Sequence, residues 1–186
     1  MTTSETEPSR SVFRRRLFAT ALGIALALAV ISGWYLRNQP RTSPLPKPNG
    51  FHAFVAAGRA ATARGKDFRE MSLAELQGLI QANARVIEYV QEGLRHHSQI
   101  SHPFDADYST LRLQELIRMR DAARALVAAV HLARRESRFE DAADMIVMTA
   151  RFGHEATRGG NMMDKYAGLR WEGFGFREAR QMTNAL

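Results

Sequence analysis

LVAAVHLARRESRFEDAADMIVMTARFGH, residues 126 to 154, is the stretch that decides the fold. It contains no proline, and Leu126, Val127, Val130 and Ala133 recur at helical spacing before ESR. After that break a second stripe begins with Phe139, Ala142, Ala143, Ile146 and Ala150. Two apolar stripes at three-and-four spacing, joined by a few polar residues, describe two helices folded back on each other. Charge agrees with the reading. Arg134, Arg135 and Arg138 stand where a helix C-terminus favours cations, and Glu140, Asp141 and Asp144 stand where an N-terminus favours anions. These two groups are expected to pair across the turn.

Working outward, the rest of the body reads the same way, because from Phe51 onward the only proline is Pro103 and alanine is abundant. A first short helix carries Phe51, Phe54, Val55 and Gly58 on one face to about Arg64 and is interrupted by Gly65. Ser72 with Glu75 makes a capping-box pattern opening a second helix, whose stripe is Leu73, Leu76, Ile80, Ile87, Val90 and Leu94, to about His97. SQISHPFDADYST is a connector, since Pro103 forces its predecessor out of helical geometry. A third helix runs from about Thr110 to Glu136 on Leu113, Leu116, Ile117, Ala123, Val127 and Val130, with Leu126 and Ala133 widening the face. The fourth covers about Phe139 to Thr157. Gly159 and Gly160 end it, and Asn161 caps a fifth.

The join at Ser137, Phe139, Asp141 and Ala142 resembles the hairpin of tetratricopeptide repeats, with its turn residue, aromatic, acid and small residue. The resemblance covers about Leu126 to His154 and implies a helical-hairpin module that contacts other proteins. The pattern departs from the family elsewhere: the second and third helices are longer than a repeat helix, and no 34-residue period recurs. The last third, with Gly159-Gly160 before NMMDKY, also resembles uncharacterised, membrane-anchored, alanine-rich helical proteins of bacteria, which implies no activity.

The N-terminal quarter differs in kind. Leu17 to Leu36 is twenty residues without a charge, which as a helix spans about 30 Å, the thickness of a hydrocarbon core. Arg10, Arg14, Arg15 and Arg16 precede it and Trp34 and Tyr35 close it, so the positive-inside rule places the N-terminus in the cytoplasm. The body is then periplasmic or extracellular. Trp34, Tyr35, Leu36 and Arg37 make a poor cleavage site, so an uncleaved anchor is preferred to a secretory signal, and Arg15-Arg16-Leu17-Phe18 matches only the core of a twin-arginine motif. Prolines 40, 44, 46 and 48 make a semi-rigid spacer. The expected organisation is a basic tail (1–16), a transmembrane anchor (17–36), a proline-rich spacer (37–50) and a helical domain (51–186). The fold class is all-α: a single N-terminal transmembrane helix plus a small bundle or solenoid of about five antiparallel helices.

Charge distribution separates function classes. The formal net charge is +7, but residues 1–49 hold seven basic and two acidic residues while residues 50–186 hold 19 and 17. A body this balanced lacks the uncompensated basic face that phosphate tracking needs, so no nucleic-acid partner is expected. The absence of cysteine excludes thiolate catalysis, disulfides and Cys-based metal centres. The nucleophile elbow, the P-loop and the dinucleotide glycine pattern are missing, so neither a catalytic residue nor a cofactor is assigned.

Three groups remain. His96, His97 and His102 with Asp105 and Asp107 are the candidates for a metal site, set against a solvated helix end whose histidines complement the C-terminal dipole. His52, His131 and His154 stand alone. Met145, Met148, Met162 and Met163 read either as an adaptable groove or as core filling. Trp171, Phe174 and Phe176, spaced by Gly173 and Gly175, complete the core if helical and form a sticky edge if not. They are the candidates for protein interaction. The expectation for the whole chain is a membrane-anchored helical interaction or scaffold protein, with the membrane and other proteins as partners and a dimer as one way to cover an exposed end. The alternative is a metal-binding protein or enzyme at His96, His97 and His102.

Overall fold

Ser72 and Asn161 each build the cap their spacing predicts. Ser72 Oγ accepts from Glu75 N while the Glu75 carboxylate accepts from Ser72 N, and Asn161 and Asp164 repeat the exchange. These caps fix two of six helices in the computed structural model, which describes residues 44–63, 67–100 and 106–184, without the side chains of 106–109. The helices are α1 (Phe51–Ala60), α2 (Leu73–Ala82), α3 (Ala84–Arg95), α4 (Ala106–Arg135), α5 (Phe139–Glu155) and α6 (Met162–Thr183). No strand occurs among the described residues, so the all-α reading stands. The tail, the Leu17 to Leu36 segment and the first residues of the spacer lie outside that set. Among the described residues no helix is long and apolar enough to cross a membrane.

The one long helix expected over residues 72–97 is two, broken at Asn83. Its fully buried side chain accepts from Thr62 N and donates to Thr62 Oγ1 and Leu79 O, tying the chain after α1 into the middle of the helix. The core seam of α2 and α3 is Leu76, Leu79, Asn83, Val86, Val90 and Gly93. Leu73 is exposed, and Ile80, Ile87 and Leu94 only flank the seam.

α1 lies across α3 and α4, α2 packs on α4, and α5 packs on both α4 and α6. Phe54 meets α3 at Gly93, where a Cβ would stand 2.3 Å from its ring, and meets the Phe152 ring of α5 edge-on at 5.3 Å. The chain that leads into α1 is stitched to the end of α3. Asn49 donates to Gln99 O and accepts from Gln99 N, and Gly50 N donates to His97 O.

The α4–α5 turn is the expected hairpin. Ser137 takes φ 59°, and Arg138 N reaches back to Ala133 O at 2.8 Å, the left-handed helix stop that glycine usually supplies. Arg138 pairs with Asp141, as the charge pattern anticipates, and also with Glu136, which that pattern does not include. Arg134 and Arg135 do not join them. Arg135 donates instead to the carbonyls of Phe68, Arg69 and Met71, and Arg134 turns to Glu178. Arg134 is half-buried beside α6, whereas Arg135 is exposed and reaches the loop before α2 along the surface.

α4 and α6, on either side of α5, run parallel, as alternate helices of an up-and-down arrangement do. Near the start of each helix, Arg112 Nε donates to Asp164 at 2.6 Å; towards their ends, His131 and Arg134 meet Glu178 at 3.3 and 3.4 Å. Arg112 and Asp164 are both fully buried, so α4 opens with a charge facing inward and places Leu113 and Ile117, two expected core residues, on the surface. The Arg112 guanidinium also lies 4.9 Å from the Phe51 ring centroid and donates to Glu115.

Candidate functional site

Helix α6 is apolar on two opposite sides. Asp164, Gly168, Trp171, Gly175 and Glu178 are buried at alternating four-and-three spacing. Trp171 stacks on Phe152, centroids 5.6 Å apart, and is 2 % exposed. Gly168 and Gly153 bring α6 and α5 into backbone contact: a Cβ on Gly168 would lie 2.3 Å from Thr157 Oγ1 and 2.7 Å from Gly153 O. The other side repeats the same spacing two residues earlier, as Met162, Tyr166, Leu169, Gly173 and Phe176. The four large residues among them are exposed, Phe176 at 63 %, and a Cβ on Gly173 would meet nothing within 4 Å. Residues repeating in this alternation form a straight seam along a helix, the geometry that a second helix packs against. Exposed Arg170 and Arg177 border one edge; exposed Lys165 and half-buried Glu172 border the other.

The predicted interaction trio is therefore divided. Trp171 is core, the outcome foreseen for a helical segment, Phe176 lies on the seam, and Phe174 is partly buried against the core with Arg177 at 5.8 Å from its ring centroid. The methionines divide too. Met145 and Met148 pack against core clusters, whereas Met162 and Met163 are exposed at the start of the seam.

A cleft opens where α4 and α6 meet the loop that precedes α2. Its cavity, about 400 Å³, has Phe68 and Phe174 as aromatic walls and Val127 between them. A second cavity adjoins it, sharing Arg69 and His131. Glu178 forms the buried end, held by His131 Nε2 and Arg134 Nη1. Burial pushes its carboxyl up, but the His131 hydrogen bond and the charges of His131, Arg134 and Arg69 outweigh this and hold it below the ordinary value of 4.5. Arg124 lies 5.1 Å from the Phe68 centroid and donates to Ala63 O. None of this grouping is visible in the sequence, where His131 looks solitary. Glu178 falls two residues past the aromatic run, and the only signal for it is its place on the Trp171 face.

Only part of the histidine cluster, His96 and His97, has its side chains among the described residues. His96 is the C-cap of α3, and its Nε2 lies 2.9 Å from Glu92 Oε1 one turn back. This hydrogen bond, followed by the Arg95 one, holds the Glu92 carboxyl below its usual range. His97 is exposed. His102, Asp105 and the Asp107 side chain lie outside the described residues. Among the described residues no group of three or more His, Asp or Glu side chains is placed to hold a metal ion.

Comparison of the chain with family models, with curated proteins and with solved structures gives no match.

Proposed function

We propose that this chain is a membrane-anchored helical interaction protein: residues 17–36 hold it in the bilayer, residues 37–50 space the body from the surface, and α6 presents its outward seam to a partner helix. The observation that carries the reading is the exposed alternation of Met162, Tyr166, Leu169, Gly173 and Phe176 opposite a fully packed face. A contiguous apolar strip on the last helix of a packed body is a recognition feature. Charge selects among partners. The seam borders Lys165, Arg170 and Arg177, with Arg180 in line beyond Phe176 and Glu172 the single acid. A second copy in parallel register would set Lys165 against Arg170, and in antiparallel register would bring Arg170 against Arg177. The fitting partner is an amphipathic helix of another protein whose apolar ridge is bordered by carboxylates.

The test is a photocrosslinking residue in place of Leu169 or Tyr166, irradiated in intact membranes. The expected product is an adduct to a protein segment of that composition, strongly reduced by Arg170→Glu without a change in melting temperature. Adducts only to lipid or to a second copy, or none, would overturn the proposal. Protease accessibility of residues 50–186 in right-side-out vesicles tests the anchor separately.

A further inference from the structure

The cleft between α4, α6 and the 67–71 loop has a chemistry the seam does not use. Five arginines, Arg69, Arg124, Arg134, Arg135 and Arg177, line it and its neighbouring cavity, against two acids, Asp67 and Glu178. Most of that charge is already employed. Glu178 is matched by Arg134 together with His131, and Arg135 is committed to three backbone carbonyls. Arg69 and Arg177 are exposed: Arg69 acts on Glu178 through its charge, and Arg177 lies over the Phe174 ring with its guanidinium edge open to solvent. Phe68, Phe174 and Val127 line the same open cleft, whose volume of about 400 Å³ falls in the range of small-ligand sites.

We propose that this cleft binds a small organic anion, a phosphate monoester or carboxylate joined to a flat apolar body. The head group pairs with Arg69 and Arg177 at the mouth, where guanidinium forks match phosphate and carboxylate oxygens. The body slides between the two phenylalanine walls. Glu178 at the buried end repels a second anionic group and accepts from a donor, which sets the polarity of the ligand.

Calorimetric titration of the full chain in detergent with phenyl phosphate tests the site, with benzyl alcohol as the neutral control. Saturable binding is expected, weakened about tenfold or more by Arg69→Glu and by Arg177→Glu and by added salt, with no binding of the alcohol. Leu169→Glu, on the seam, leaves it unchanged, so this result stands or falls apart from the partner-helix proposal. Methyl resonances of Val127 report whether the ligand enters the cleft. Vesicles of phosphatidylcholine doped with phosphatidic acid form a second arm. Competition by them identifies a lipid head group as the source of the phosphate, and failure to compete identifies a free metabolite-sized anion; either accompanies a filled site. Absence of saturable binding, unchanged affinity in both arginine variants, equal binding of benzyl alcohol, or an unmoved Val127 signal overturns the proposal.

Discussion

The two sides of α6 use the same residue spacing for opposite ends. Inward, large and small alternate as Gly168, Trp171 and Gly175, and the glycines let α5 approach until backbone touches backbone. Outward, Tyr166, Leu169 and Phe176 surround a glycine that faces open space. Spacing alone marks both as packing faces. What separates them is which one already has its neighbour in the same chain, and the paired glycines of α5 and α6 settle that.

The sharpest way to break this contrast is to truncate one aromatic on each side. Trp171→Ala should cost about 3–5 kcal/mol and Phe176→Ala less than about 0.5, as read by urea denaturation. Comparable losses would mean that the outer side is packed too. Next, Arg112→Ala leaves Asp164 buried without its cation and should cost about 3 kcal/mol or more, while Leu111→Ala, at an exposed neighbour, should be near neutral. Glycine substitutions give smaller effects of opposite sign. Gly168→Ala forces α5 and α6 apart and should lose about 1–3 kcal/mol, whereas Gly173→Ala should gain about 0.5–1 kcal/mol from helix propensity. A loss at Gly173 would show that something already sits on the seam.

The smallest expected effect is a pH dependence. The Glu178 carboxyl is held below its ordinary value in the folded chain, so its ionisation stabilises the fold above that value. The contribution fades as pH falls through the ordinary value towards the folded one. Thermal melts between pH 6 and about pH 3 should therefore fall less steeply for Glu178→Gln than for the natural chain. Equal slopes would place the carboxylate in solvent.

Much of the fold was readable from local chemistry. Ser72 with Glu75, the SRFED turn and Asn161 mark three helix starts, because caps depend on residues within one turn of each other. The failures share a cause. In α2 and α3 the expected stripe found Leu76 and Val90, but Leu73, Ile80, Ile87 and Leu94 lie one position away from the true seam, which passes through Asn83 and Gly93, residues that hydropathy discounts. In α4 the same rule selected Leu113 and Ile117 over Arg112, whose partner stands 52 residues along the chain. The cleft was hidden for a like reason: it unites a loop, α4 and α6, and its residues are ordinary until they meet. The expected anchor, the first residues of the expected spacer and part of the histidine cluster lie outside the described residues.

The parallel pairing of α4 and α6 has a consequence for how such a chain can change over generations. Asp164 and Glu178 stand fourteen positions apart, four turns along one face, and each is engaged by a different end of α4. Inserting a single residue between them would swing one carboxylate about 100° away from its cation while leaving the other in place. The two pairs thus act as gauge marks that permit substitution within the helix but forbid insertion or deletion between Asp164 and Glu178.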